Sequence, residues 1–191
     1  DPAIFESILL GGAAAPPNLP ANVTTTYGMT ETFGGIVYNG IPLDGIHVRV
    51  ADEHIELQSP SLFRTYRGSK AQLSAEGWYE TGDNGSFTNN VLQVFGRSDD
   101  MIITGGENVW PIAVERVVST IPGVERVVVR GIDDAQWGQR VVAWIVSSNP
   151  VAPSLEEVRQ HVKQQLPSFC APTEIRIVND IPTTSLGKVD F

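Results

Sequence analysis

The chain has 191 residues, 41% of them hydrophobic, and this length and composition predict one or two domains with a buried core. Its 22 acidic and 13 basic side chains give a formal net charge of −9, which repels polyanions and argues against nucleic acid as a partner. No apolar run reaches the length of about 18 residues that a membrane-spanning helix needs, so the sequence predicts no such helix.

The cysteine and histidine content narrows the class of protein further. Cys170 is the single cysteine, which excludes an intrachain disulfide and predicts a cytoplasmic protein in which this thiol is a small buried side chain. His47, His54 and His161 stand too far apart for zinc-ligand spacing. The first residues include neither an initiator Met nor a signal-peptide pattern, so we expect the sequence to be a piece of a longer protein.

The predicted elements of the first half are short strands. Apolar runs at 8–10 and 23–27 are separated by the loop-forming segment GGAAAPPNLP. From residue 35 to about 96 apolar and polar residues alternate, as in HVRV, where Val48 and Val50 face the same side of a half-buried strand. Turn-forming pairs lie at Asp44–Gly45, Asn84–Gly85 and Asn89–Asn90. Residues 35–96 are therefore predicted to be mostly β-structure.

From about residue 98 the pattern predicts alternating helices and strands. Pro111 suits the first turn of a helix whose apolar stripe ends before Pro122–Gly123. The β-branched runs VERVVVRG and RVVAWIVS, and later TEIRIV, predict three strands. Ser154 and Glu157 form a capping box ahead of a second helix, which Pro167 should end.

The segment GRSDDMIITGGENVWP (96–111) marks the change between the two patterns. Its charged part, which includes Arg97 and Asp99, predicts a polar joint at 97–100 between a β-rich body and a separate small α+β domain. A short apolar run follows, and Gly105–Gly106 then predicts a flexible loop.

The segment TTTYGMTET (24–32) ends a predicted strand with side chains suited to a nucleotide. Thr30 offers a hydroxyl that can bond a phosphate oxygen, and Glu31 offers a carboxylate that can hold Mg²⁺ beside that phosphate. Tyr27 has a flat aromatic face on which a purine can stack. An ordinary strand end explains the same residues when this segment is taken alone.

Two more segments carry candidate ligand-binding residues. In GWYETGD, Asp83 follows Gly82, where its carboxylate can accept hydrogen bonds from both hydroxyls of a ribose; an Asp that stabilises a turn is the alternative. In IPTTSLGKVDF, Lys188 follows Gly187 and provides a mobile positive charge for a phosphate or a carboxylate. A solvated lysine is the alternative there.

Taken together, YGMTE, YETGD, GRSDDMIITGGENVWPIAVE and PTTSLGK stand in the order and approximate spacing of the adenylate-forming superfamily, which the chain resembles over nearly its whole length. That superfamily includes acyl- and aryl-CoA ligases, peptide-synthetase adenylation domains and firefly-type luciferases. Within it, YGMTETFGGIVYNGIPLDGIHVRV and HIELQSPSLFRTYRG look most like 2-succinylbenzoate–CoA ligases of menaquinone biosynthesis.

The resemblance implies a role for each candidate residue. Tyr27 would stack on adenine, Thr30 would bond the α-phosphate, and Glu31 would hold Mg²⁺. Asp83 would bind the ribose hydroxyls with the assistance of Arg97. Gly11, Gly12 and Ala13 would belong to a loop that lines the acyl and adenine pockets, and Asp99 would be the hinge. Gly105 and Gly106 would form the loop that moves toward the pantetheine channel. Lys188 would be the adenylation lysine.

The resemblance also implies the fold and the reaction. The fold would combine α/β and α+β parts. Residues 1–96 would form the end of an N-terminal domain, with 1–34 from its α/β lobe and 35–96 as its β-rich subdomain. Residues 97–100 would be the hinge, and 101–191 would form a small mobile α+β domain. The reaction would convert a small carboxylic acid, ATP and coenzyme A, with Mg²⁺, into a thioester through an acyl-adenylate.

The chain also departs from the superfamily pattern. The phosphate loop and most of the large lobe of the superfamily lie outside the chain. Residues 13–22 are shorter than the helix and loop expected between GGAAAP and YGMTE, and Phe191 stands where an Arg is usual. We therefore expect the chain alone to be inactive. An adenylation domain that loads a carrier protein and a non-catalytic interaction module remain alternatives, and assembly as a homodimer stays open.

Overall fold

The computed structural model describes residues 2–12, 15, 18–69, 73–184 and 189. The chain divides into two compact units, Asp1–Ser98 and Asp99–Phe191, and the division falls inside the segment 97–100 for which the sequence predicts a joint. The mixed class of fold predicted from the sequence is confirmed, with many strands and few helices. None of the helices in the described ranges is long and apolar enough to cross a membrane.

The first unit contains a four-stranded sheet with one parallel and two antiparallel pairings. Its strands, in spatial order, are β1 (Ile8–Leu10), β2 (Val23–Met29), β3 (Gly34–Tyr38) and β4 (Ile41–Pro42). β1 and β2 are parallel, and the other neighbours are antiparallel. A short 3₁₀ helix, Thr30–Thr32, separates β2 from β3 and carries two of the candidate residues.

The second sheet of this unit is an antiparallel meander. It consists of β5 (His47–Ala51), β6 (His54–Gln58), β7 (Tyr79–Thr88) and β8 (Val91–Arg97). Two-residue turns join β5 to β6 and β7 to β8, and the residues in both turns, Asp52–Glu53 and Asn89–Asn90, have the positive φ that such hairpins require. Side chains from both sheets, including Ile36, Val37 and the fully buried Ile55 and Leu57, form one core.

The turn predicted at Asn84–Gly85 is wrong, because both residues lie inside β7. The pairing of β7 with β8 shifts between Asn84 and Gly85, which is a β-bulge. A Cβ at Gly85 would lie 2.3 Å from the carbonyl oxygen of Gln93, so only glycine fits this close approach of two backbones. Gly82, with φ +74°, is likewise a strand residue and not part of a turn.

The described residues of the second unit form a five-stranded sheet with two α-helices and a short 3₁₀ helix, Ser168–Cys170. Its elements in chain order are β9 (Ile102–Thr104), β10 (Glu107–Val109), α1 (Pro111–Val118), β11 (Val124–Asp134), β12 (Gly138–Ser147), α2 (Leu155–Lys163) and β13 (Glu174–Ile177). β12 is the central strand: it forms a long antiparallel hairpin with β11, which lies at one edge, and it also pairs with β9 and with β13.

The helices begin where the sequence predicts. Pro111 occupies the first turn of α1, and the Ser154–Glu157 capping box is present, with the backbone N–H of Ser154 donating to the Glu157 carboxylate at 2.7 Å. α2 ends at Lys163, earlier than the predicted stop at Pro167, because the last residues before the proline form a turn.

The core of the second unit lies between the helices and the sheet. Val114 and Val118 of α1 and Val158 and Val162 of α2 are fully buried and pack against strand residues such as Val129. The prediction for Cys170 is confirmed: the residue is 7% exposed, and burial raises the pKa of its thiol. A thiol protonated at neutral pH is a poor nucleophile.

The bulge at Gly85 predicts the result of a substitution. Gly85→Ala should lower the free energy of unfolding by about 3 kcal/mol, because the added Cβ collides with backbone that cannot move aside. In Gly45→Ala, where no atom lies within 4 Å of the added Cβ, only the left-handed backbone is unfavourable, and the loss should be about 1 kcal/mol. Urea unfolding followed by circular dichroism measures both, and an equal loss in the two variants would contradict the bulge.

Candidate functional site

Two of the sequence motifs are joined by a side-chain hydrogen bond. The Tyr27 hydroxyl, on β2, donates to the Asp83 carboxylate, on β7, at 2.8 Å, across 56 residues of sequence. Burial, reinforced by the negative charge of Asp83, raises the pKa of the Tyr27 hydroxyl well above its usual range. This hydroxyl therefore remains protonated and keeps donating to Asp83 at any physiological pH.

The Asp83 carboxylate also faces a cation. Asp83 and Arg97 are paired across β7 and β8, and an Arg97 guanidinium nitrogen lies 3.9 Å from the carboxylate. The Asp83 side chain is 13% exposed and that of Arg97 is 58% exposed, so the arginine reaches from the surface toward a nearly buried acid. Gly82 leaves room for it, because a Cβ there would lie 3.2 Å from the guanidinium.

Thr30 and Glu31 lie on the 3₁₀ turn that follows β2. The neighbouring Thr32 is buried and holds this turn: its hydroxyl accepts from the Met29 N–H at 2.9 Å and lies 2.7 Å from the Gly34 carbonyl oxygen, to which it can donate. Thr30 is left exposed. The carboxylate of Glu31 accepts a hydrogen bond from the Tyr66 hydroxyl, which raises the pKa of that tyrosine above its usual range.

The donor set around Glu31 suits Mg²⁺ bound together with a phosphate. Mg²⁺ in nucleotide sites is usually held by one or two carboxylates and by the phosphate oxygens, and does not need an all-protein cage. Glu31 supplies one such carboxylate, and among the described residues no three His, Cys, Asp or Glu side chains converge on a common point. The Glu31 carboxylate, together with the phosphate oxygens of a bound nucleotide, therefore suits Mg²⁺ as a ligand set.

The two glycines after β1 meet two different constraints. A Cβ at Gly11 would lie 2.3 Å from the Thr26 hydroxyl, and Gly12 adopts φ +85°. Thr26 leaves no room for a side chain at Gly11, and the left-handed conformation of Gly12 favours glycine. Ala13, the third candidate of this loop, lies outside the described residues.

Ser98, which the sequence did not single out, fixes the end of the first unit. Its hydroxyl lies 3.1 Å from the Gly82 carbonyl oxygen and 3.4 Å from the His54 ring, and it contacts the side-chain oxygen of Asn84. Asp99 is the next residue and begins the second unit. The contacts of Ser98 depend on how β6, β7 and β8 align, and no local pattern in the sequence indicates them.

The Gly105–Gly106 turn joins β9 to β10 and packs against Trp137. Both glycines have positive φ, of +59° and +84°. The Gly105 N–H donates to the Trp137 carbonyl at 2.9 Å, and a Cβ on Gly105 would lie 2.9 Å from the indole ring. Trp137 is 53% exposed, and none of the sequence motifs includes it, although an exposed large aromatic side chain often marks a contact surface.

Lys188 lies outside the described residues. The chain before it is anchored by Ile181, which is 1% exposed and packs with Val128 and Val146. Arg126 forms an ion pair with Asp180 at 2.6 Å and donates to the Ile181 carbonyl. Thr183 pairs with Val189 in an antiparallel bridge.

Comparisons with known proteins show what the chain is similar to. The AMP-binding enzyme C-terminal domain family matches residues 113–188. A probable 2-succinylbenzoate–CoA ligase of Mycobacterium tuberculosis is 41% identical over 202 residues, which cover 98% of this chain and 53% of the relative. The chain is thus similar to members of the adenylate-forming superfamily. It spans about half the length of the curated relatives it matches.

Solved structures of this superfamily share the fold of the chain. The o-succinylbenzoate CoA synthetase of Bacillus subtilis, in complex with the acyl-adenylate intermediate OSB-AMP, is 29% identical with a TM-score of 0.82, over 97% of this chain and 45% of that chain. An amide bond synthetase of Marinactinospora thermotolerans is 26% identical with a TM-score of 0.87, over 100% of this chain and 46% of that chain. The resemblance inferred from the four motifs is confirmed.

The Tyr27–Asp83 contact predicts a loss of stability when the hydroxyl is removed. Tyr27→Phe keeps the ring but leaves a nearly buried carboxylate with one donor fewer, which should lower the free energy of unfolding by about 1–3 kcal/mol. Urea unfolding measures the change, with Tyr38→Phe on β3 as the control. If Tyr27→Phe lowers the free energy of unfolding no more than Tyr38→Phe does, the Tyr27 hydroxyl does not stabilise the fold.

Proposed function

We propose that the whole protein that carries this chain is an ATP-dependent acyl- or aryl-CoA ligase. The resemblance to the adenylate-forming superfamily and the names of the similar proteins support this function. The observation that carries the proposal is the Tyr27–Asp83–Arg97 group, in which a nearly buried carboxylate beside an aromatic ring and a cation is suited to a nucleoside.

The proposed reaction has two steps. An oxygen of the acid attacks the α-phosphorus of ATP, the bond to pyrophosphate breaks, and an acyl-adenylate forms. The thiol of coenzyme A then attacks the acyl carbon, AMP leaves, and the thiol proton is released. Neither step needs a covalent bond to the protein, so the side chains act by positioning the reactants and by neutralising charge.

The side chains of the first unit would bind the nucleotide. A carboxylate accepts several hydrogen bonds, so Asp83 can bind ribose hydroxyls while it accepts from Tyr27. The ring of Tyr27 would lie against adenine, Arg97 would support the ribose contact, and Thr30 would bond the α-phosphate. Gly11 and Gly12, with Ala13, would line the pockets for the adenine and the acyl group.

Glu31 would hold Mg²⁺, which when bound supplies positive charge to the phosphates. Lys188 would neutralise the negative charge that develops during adenylation. Gly105 and Gly106 would face coenzyme A in the second step.

The two steps would use two positions of the second unit relative to the first. Asp99 would be the hinge, since Ser98 before it is held by contacts within the first unit. In one position Lys188 would serve adenylation, and in the other the Gly105–Gly106 turn would serve thioester formation.

The acid that we propose is 2-succinylbenzoate, and the product its coenzyme A thioester, as in menaquinone biosynthesis. The 41% identity to the mycobacterial protein and the 29% identity to the Bacillus subtilis enzyme support this substrate.

Incubation of the whole protein with ATP, Mg²⁺, coenzyme A and 2-succinylbenzoate tests the proposal. Pyrophosphate release together with the thioester, detected by mass spectrometry, is the expected result. Pyrophosphate without a thioester would instead favour an enzyme that transfers the acyl group to a carrier protein. Neither product, with this acid or with a panel of other carboxylic acids, would favour a non-catalytic interaction module.

The two half-reactions should respond differently to the loss of Lys188. Lys188→Ala in the whole protein should slow pyrophosphate release by roughly 10²–10³-fold, because a charge that stabilises the transition state is removed. Thioester formation from supplied acyl-adenylate should continue, because that step would use the other position of the second unit. Lys163→Ala, on α2, is the matched control. Near-normal pyrophosphate release by Lys188→Ala would remove this residue from the site.

A further inference from the structure

Two hydrogen bonds tie Glu31 to the segment 59–69 between β6 and β7. The Tyr66 hydroxyl donates to the Glu31 carboxylate oxygen Oε1, and the backbone N–H of Phe63 donates to the Glu31 carbonyl at 2.7 Å. The segment therefore holds both the side chain and the main chain of this one residue. None of the four motifs includes it, and nothing in the proposed function requires it.

The hydroxyl of Tyr66 is held in place by an aromatic cluster. The ring of Phe63 packs against Tyr66 with 4.7 Å between centroids and against Tyr79, edge to face, with 5.3 Å between centroids. Tyr79 is 6% exposed, and its hydroxyl lies 3.3 Å from that of Tyr66. A buried tyrosine of β7 thus anchors the exposed tyrosine that reaches Glu31.

This contact restricts a side chain that otherwise has many conformations. A glutamate has several rotatable bonds, and fixing it on a ligand costs conformational entropy. Tyr66 occupies one hydrogen-bonding position of Oε1, and a carboxylate has about four such positions over its two oxygens, so others stay available for a cation. Groups that bond a ligating carboxylate orient it and tune its affinity for the metal.

We propose that Tyr66 is a positioning residue, whose hydroxyl orients the Glu31 carboxylate toward the Mg²⁺ that accompanies ATP. The inference rests on the proposed function, since it assumes that Glu31 is a ligand of that ion. The alternative is structural: Tyr66 would only close the segment 59–69 over the end of β7.

Tyr66→Phe in the whole protein separates the two readings, because it removes the hydroxyl and keeps the ring that packs on Phe63. The first measurement is binding of Mn²⁺, as a probe for Mg²⁺, in the presence of ATP and without the acid, followed by electron paramagnetic resonance of free Mn²⁺. The affinity should fall by about tenfold. The Mg²⁺ concentration for half-maximal pyrophosphate release should rise by a similar factor, and saturating Mg²⁺ should restore the rate.

Two further variants make the test decisive. Tyr38→Phe, on β3, removes a tyrosine hydroxyl from the same unit and should leave Mn²⁺ affinity unchanged. In a Glu31→Gln background, Tyr66→Phe should cause no further loss, because the hydroxyl acts through the carboxylate. A further loss of similar size in that background would overturn the inference, even if the single variant behaves as expected.

The failure of the inference is distinguishable from that of the proposed function. If the wild-type protein releases pyrophosphate and Tyr66→Phe matches it in Mn²⁺ affinity and in Mg²⁺ dependence, the positioning role alone is wrong. If the wild-type protein with ATP binds no Mn²⁺ and releases no pyrophosphate, the proposed function fails, and the inference fails with it.

Discussion

The hydrogen bond from the Tyr27 hydroxyl to the Asp83 carboxylate is the contact on which the candidate site depends. It connects the two sheets of the first unit, and it ties the strand that leads to Thr30 and Glu31 to the strand that carries Asp83. A carboxylate that is only 13% exposed needs donors or cations around it, and Tyr27 and Arg97 supply both. A purine and a ribose would therefore meet side chains whose orientation the fold has already fixed, which lowers the cost of binding.

Three consecutive residues of β7 link this contact to the joint between the units. Gly82 adopts φ +74° and leaves room for the Arg97 guanidinium, Asp83 accepts from Tyr27, and Asn84 contacts the Ser98 hydroxyl. The residues 82–84 of β7 thus contact both the ribose-binding group that we propose and Ser98, the last residue of the first unit. In the second unit, the Gly105–Gly106 turn is held by its own contact with Trp137, and the chain before Lys188 is held by the buried Ile181.

Features set by neighbouring residues could be predicted from the sequence, and features set by strand pairing could not. The starts of both helices, the alternation at Val48 and Val50, and the buried state of Cys170 follow from local spacing and composition, and the structure confirms them. Asn84–Gly85 has the composition of a turn, yet it forms a bulge because strand pairing continues on both sides of it. The contacts of Tyr66 and Ser98 could not be predicted, because their partners, Glu31 and Asn84, lie 35 and 14 residues away and meet them only after the sheet forms. The roles of the candidate residues in a reaction stay predictions.

A double-mutant cycle on the affinity for ATP measures whether the Tyr27 hydroxyl acts on the nucleotide through Asp83. Tyr27→Phe, Asp83→Asn and the double variant of the whole protein are compared with the wild type by isothermal titration calorimetry. If the Tyr27 hydroxyl assists the nucleotide only by holding Asp83, the double variant binds ATP no more weakly than Asp83→Asn alone, and the coupling energy falls within about 0.5–3 kcal/mol. Losses that simply add would contradict this account, because they would mean that Tyr27 and Asp83 act on ATP independently.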